Sequence, residues 1–127
     1  MRRFRTWLVM LLFPVTASVA APEKEPATGT RQCIDMSRIQ SQTAEGTDGI
    51  RFRMRGGVDY VSRVPGCPGV ERVGRFNALS LEPGTSSQLC RGDFVRPFDP
   101  MTLRTMGLQS FPRCVLGEFT PVPPERR

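Results

Sequence analysis

Apolar and polar positions alternate most cleanly between Gly49 and Val64. Residues 50 to 54 read Ile-Arg-Phe-Arg-Met, the period-2 pattern of a half-buried strand, and a second alternating run follows Gly56-Gly57. The two glycines supply the positive φ angles of a tight reversal, so a β-hairpin is predicted. Its register follows from the pattern. A two-residue Gly56-Gly57 loop would set Met54 opposite Asp59 and mix Asp59 and Arg63 into the apolar face. A three-residue loop, Arg55-Gly56-Gly57, sets Met54 against Val58, Phe52 against Tyr60 and Ile50 against Ser62, with Arg53 opposite Asp59 on the outer face. Because a slip of one residue inverts every side chain, the second register is expected.

The flanking chain reads as further short strands. A first strand is expected within Gln32 to Gln42, with Ile39 facing in, before the loop Glu45 to Gly49. Pro65-Gly66-Cys67-Pro68-Gly69 makes a rigid corner. Val73 to Leu81 is the next strand; its inward set is left open by the pattern, since Phe76 and Ala78 share one face while Leu79 and Leu81 change parity, and a bulge near Ser80 would reconcile them. The chain turns at Glu82-Pro83-Gly84-Thr85 and returns along Gln88-Leu89-Cys90. Asp93 to Arg96 is a strand that Pro97 ends. Asp99-Pro100 marks a helix start and Gly107 its stop, placing Met101, Leu103 and Met106 where they would cover one barrel mouth. Cys114 to Phe119 closes the set. Five or six short strands with Gly/Pro turns in roughly 90 residues imply an all-β domain, a partly closed barrel or a two-layer sandwich, the barrel being favoured because closure removes edges.

The chain has 127 residues, and its amino terminus changes how its charge is read. Met1-Arg2-Arg3-Phe4-Arg5, the apolar run Trp7 to Val15 and the small residues Ser18 and Ala20 form the three-part layout of a secretory signal peptide over residues 1–20. The apolar run is about half the length that spans a bilayer, so no transmembrane segment is expected in the mature chain. Cleavage after Ala20 removes three of the 18 basic residues, leaving 15 against 12 acidic, a net charge of +3 rather than +6. That weakens a nucleic-acid reading, and no nucleic-acid partner is expected. Residues 21–31 read as a flexible leader, 32–120 as the folded domain and 121–127 as a flexible tail.

Cys33, Cys67, Cys90 and Cys114 remain after processing. An even count in a small exported domain reads as two disulfides, whereas the spacing offers no paired-ligand knuckle for zinc. Of the three connectivities, the nested one, Cys33–Cys114 with Cys67–Cys90, is expected. It joins the first and last strands and clamps the base of a hairpin turning at Pro83-Gly84.

Cys33, the Arg-Gly-Gly hairpin with Tyr60, Pro65-Gly66-Cys67-Pro68-Gly69, Leu89-Cys90-Arg91-Gly92-Asp93 and Cys114-Val115-Leu116-Gly117 together resemble a family of small exported proteins of Gram-negative bacteria, a domain of unknown function. The resemblance covers roughly residues 32 to 119, and the Asp99 to Phe111 loop fits it least. It implies export, four structural cysteines and a β-rich fold, and supplies no catalytic residues.

The chain contains no His, which excludes Ser-His-Asp and Cys-His chemistry and His-based metal sites. Asp35, Asp59, Asp93 and Glu118 show no convergent spacing, and Arg55-Gly56-Gly57 precedes no helix that would cradle a phosphate. No catalytic, cofactor or metal site is therefore expected. Arg91-Gly92-Asp93 spells an integrin-adhesion tripeptide, but it follows Cys90 directly and leads into a strand. Gly92 and Asp93 are read as a structural turn, with the Asp93 carboxylate accepting backbone N–H bonds. Two classes of function remain. One is a non-enzymatic periplasmic or secreted module that is structural or binds an envelope or periplasmic protein. The other is an Arg-bearing module for an anionic polymer, which would lose its ligand steeply with salt.

Overall fold

The computed structural model describes residues 11, 12, 14, 29–85 and 87–124. The signal peptide expected over 1–20 and most of the leader lie outside the described residues, apart from Leu11, Leu12 and Pro14. The rest is all-β: nine strands among the described residues, in three antiparallel sheets, with one short helix.

The hairpin forms in the predicted register. Gly49–Met54 (β3) and Asp59–Arg63 (β4) pair Phe52 with Tyr60 and Ile50 with Ser62, and Gly56 and Gly57 both hold positive φ. Ile39–Glu45 (β2) lies on the outer side of β3, and Phe119–Val122 (β9) lies on the far side of β4. The hairpin is thus the middle of a four-stranded sheet, and its second face is not the solvated one expected. Arg51 and Asp59 are both buried on it.

The stretch from 32 to 42 forms two strands rather than one. Cys33–Asp35 (β1) stops because the Asp35 side chain accepts hydrogen bonds from the backbone N–H and hydroxyl of Ser37, capping a 3-10 turn over Met36–Arg38. β2 begins only at Ile39, which packs half-buried against the core. A similar break shortens the run from Val73. A 3-10 turn over Val70–Arg72 and the positive φ of Gly74 keep residues 74–76 in a turn, so the strand Ala78–Glu82 (β5) starts late and Phe76, outside it, is 75% exposed.

The return after Pro83 also departs from expectation. Gln88–Cys90 (β6) pairs with β1, setting Cys33 opposite Cys90 and Ile34 opposite Leu89, while β5 pairs with Phe94–Phe98 (β7). The disulfides follow these pairings: Cys33–Cys90 and Cys67–Cys114. The nested connectivity is therefore wrong, and the bridges interlace. The physical reason is that β6 swings away from β5 to bury Leu89 completely beside Ile34, which brings Cys90 to Cys33.

β7 also runs through Pro97 instead of ending at it. Leu116 N–H bonds the Asp93 carbonyl, so strand alternation points the backbone of Val95 and Pro97 toward Cys114–Val115 (β8). β8 pairs with Phe94 and Val95 and stops, so the missing N–H of Pro97 faces no partner strand. The helix Pro100–Met106 (α1) forms as predicted, capped by Asp99 and ended at Gly107. It covers no barrel mouth: the sheets remain open, and Met101 and Met106 are exposed.

The closing strand divides as well. The chain crosses between sheets at 116–118, where Gly117 N–H bonds the Arg63 carbonyl and the Ser62 hydroxyl donates to the Gly117 carbonyl. A Cβ at Gly117 would stand 3.0 Å from the Arg63 oxygen, so only glycine passes easily here. The folded domain extends beyond both expected ends. Arg31 exchanges two backbone hydrogen bonds with Phe119, and Pro121 and Val122 pair with Tyr60 and Asp59. All three sheets contribute to one core, with Ile34 from the first ribbon, Ile50 and Phe52 from β3, Leu89 from β6, Val95 from β7 and Phe119 from β9.

Candidate functional site: a groove between two sheet edges

Most of the charge that could act outward is bound internally. Asp59, 2% exposed, pairs with Arg51 (Oδ2 to Nη2 3.1 Å) and accepts from Met54 N–H; Arg51 also reaches Glu45 and the Pro123 carbonyl. In the second sheet Glu82 accepts from Arg96 (2.7 Å) and Arg113 (2.9 Å). Arg96 further donates to the Phe111 carbonyl and Gln109, and Arg113 lies 3.8 Å from the centre of the Phe94 ring. The hydrogen bond from Arg96, aided by the charges of Arg96 and Arg113, holds the Glu82 carboxyl below its ordinary range. The Met101 backbone N–H and the Thr102 hydroxyl hold Asp99 low in the same sense, and the Ser37 bonds do so for Asp35. These are caps and clamps, each with its partners supplied by the fold.

The predicted turn at Cys90-Arg91-Gly92-Asp93 is such a clamp. Asp93 Oδ2 accepts from Cys90 N–H (2.7 Å) and Oδ1 from Gly84 N–H (3.2 Å), while Gly92 N–H bonds the Leu116 carbonyl at a φ of 89°. One carboxylate thereby ties the end of β6, the start of β7 and the 83–84 turn together. Gly56 and Gly57 form the turn between β3 and β4 and take no part in it. The four cysteines are all in disulfides, and no group of three or more His, Cys, Asp or Glu among the described residues could hold a metal.

A shallow groove of ≈ 490 Å³ lies elsewhere, where the outer edges of two sheets approach each other. One wall is β2 from Gln40 to Thr43; the other is the segment from Val73 to Leu79, with Pro100 at the rim. The walls touch at one end, where Ala44 N–H bonds the Val73 carbonyl and Gly74 packs so closely on Gln42 and Thr43 that a Cβ would not fit. They then diverge. The segment is held in place by Gly74 N–H on the Asn77 carbonyl and by the Asn77 amide on the Gly69 carbonyl. That fixed turn presents Phe76 to solvent with Arg75 beside it. The lining carries amides, hydroxyls, one Arg and no carboxylate.

None of the residues singled out as sites from the sequence lines this groove. The pattern puts Phe76 inside a strand over Val73 to Leu81, yet Gly74 and Asn77 on either side of it are turn formers and are the available signal. Comparison with known proteins identifies no relative: no family model, no curated protein and no solved structure matches the chain.

Proposed function

We propose that this protein is exported to the periplasm or beyond the cell and acts without catalysis, as a disulfide-clamped module that binds an envelope protein through the groove at Phe76. The observation that carries this reading is a large aromatic held out to solvent by a hydrogen-bonded turn, over a groove between two sheet edges. Exposed aromatics at a concave, partly apolar surface are characteristic of contact faces. Two disulfides suit an oxidising compartment, as does the signal-like layout of residues 1–20, and no helix among the described residues is long and apolar enough to cross a membrane. An arginine face for an anionic polymer has less support, because Arg51, Arg63, Arg96 and Arg113 are held in ion pairs with the protein's own carboxylates.

The test places a photo-activated amino acid at position 76 and, as a control, at exposed Val115 on β8, in cells producing the full chain. A discrete protein adduct from position 76, absent from 115, is expected, from a chain whose mass begins at Ala21. No adduct at 76, or the same adducts from both positions, overturns the proposed face; a retained Met1 overturns export.

A further inference from the structure

The outer edge of β5 carries a specific pattern of backbone groups that have no strand partner among the described residues. Because Pro97 and Val95 direct their backbones toward β8, their partners Leu79 and Leu81 direct theirs away from β7, to the side where no strand lies among the described residues. Two N–H and two C=O groups therefore stand at the two-residue spacing of a strand, roughly 7 Å apart, and Leu79 also lines the groove. Upstream of them stand Phe76 and Arg75. Among the described residues Arg75 is the one cation lining the groove; Arg72 lies 4.0 Å from Glu71, and Asp99, the residue before Pro100, has its carboxylate occupied in capping α1.

Resting on the groove's being the contact face, we propose that its occupant is an extended acidic peptide segment of the partner, which adds as a strand to the edge of β5. Leu79 and Leu81 exchange backbone hydrogen bonds with alternate residues of the peptide. Phe76 packs on an apolar side chain, and Arg75 meets the peptide's carboxylates. A polysaccharide of the same charge would satisfy Arg75 but would not reproduce the two-residue alternation of donors and acceptors along β5. Edge addition of this kind takes its affinity from main-chain bonds and its selectivity from neighbouring side chains.

The experiment selects binders from a random dodecapeptide library on the disulfide-intact chain and synthesises the enriched peptides. The expected result is acidic sequences with an apolar residue, whose binding falls at least tenfold with Phe76→Ala and with Arg75→Glu. N-methylation of the peptide at alternate residues, and not at those between, is expected to abolish binding, because only alternate N–H groups face β5. Leu79→Pro supplies the reciprocal test. It removes one outward N–H at an edge position where proline leaves the β5–β7 bonds intact, and its fold is checked by amide spectra. Failure to enrich any peptide, binding indifferent to N-methylation, or equal displacement by a polygalacturonate chain overturns strand addition. A partner adduct at position 76 together with any of these leaves the contact face standing and removes only the strand; absence of the adduct removes the face itself.

Discussion

Removing the Asp59 carboxylate is expected to be among the most damaging single substitutions on the first sheet. Asp59→Ala leaves the Arg51 guanidinium, whose side chain is 10% exposed, without its closest carboxylate, and it takes the acceptor from Met54 N–H. Breaking a buried pair by deleting one partner costs about 3–5 kcal/mol, and the orphaned N–H accounts for about 1 kcal/mol of that. Glu45, 3.8 Å from Arg51 and partly solvated, compensates only weakly. Against a total of about 5–10 kcal/mol for a domain of this size, the variant would stand near the threshold of folding. Urea unfolding at pH 7 checks it: the midpoint is expected to fall by on the order of 2 M. Asp59→Asn, which retains an acceptor for Met54, should lose less. A double-mutant cycle with Arg51→Ala is expected to return a coupling of about 2 kcal/mol or more, because the double variant leaves no stranded charge. A loss below about 1 kcal/mol in Asp59→Ala, or a coupling near zero, would refute the claim that the pair holds this face together.

Non-reducing peptide mapping is expected to recover Cys33–Cys90 and Cys67–Cys114. With sequence separations of 57 and 47 the chain-entropy terms are nearly equal, about 4 kcal/mol each; replacing Cys67 and Cys114 by Ser should cost more than replacing Cys33 and Cys90, because both are buried and the hydroxyls enter the core. Asp93→Ala is expected to cost about 1–3 kcal/mol in urea unfolding by stranding Cys90 and Gly84 N–H groups, with Asp93→Asn recovering part of the loss; an unchanged midpoint in both would show that the turn does not depend on them. Glu82, Asp99 and Asp35 titrate lower in the fold than in the unfolded chain, so their stabilisation is complete above the ordinary carboxylate range of about 4 and is lost as pH falls through their depressed values. Thermal melting should therefore decline as pH falls below about 4, and Glu82→Gln should flatten that decline; an equally steep one would exclude Glu82 as a contributor.

Local rules were enough wherever the deciding interaction lies within a few residues. The hairpin at 49–63 follows from period-2 alternation and two glycines, the helix at 100–106 from Asp99, Pro100 and Gly107, and the Asp93 turn from a carboxylate placed after a glycine. What neighbours in sequence could not decide was which strand meets which. β5 and β6 are adjacent in the chain and joined by a turn, yet each pairs elsewhere, because burying Leu89 against Ile34 favours a distant partner over the nearest one. The disulfide connectivity follows from that choice and was no more readable than it. The groove was hidden for the same reason. It is made by β2 and the 73–79 segment, which are far apart in the chain, and the exposure of Phe76 depends on Asn77 reaching back to Gly69 and Gly74 packing on Thr43. Alternation along a chain specifies which face of a strand is apolar; only the packed structure determines which of those faces, and which edges, remain open to a partner.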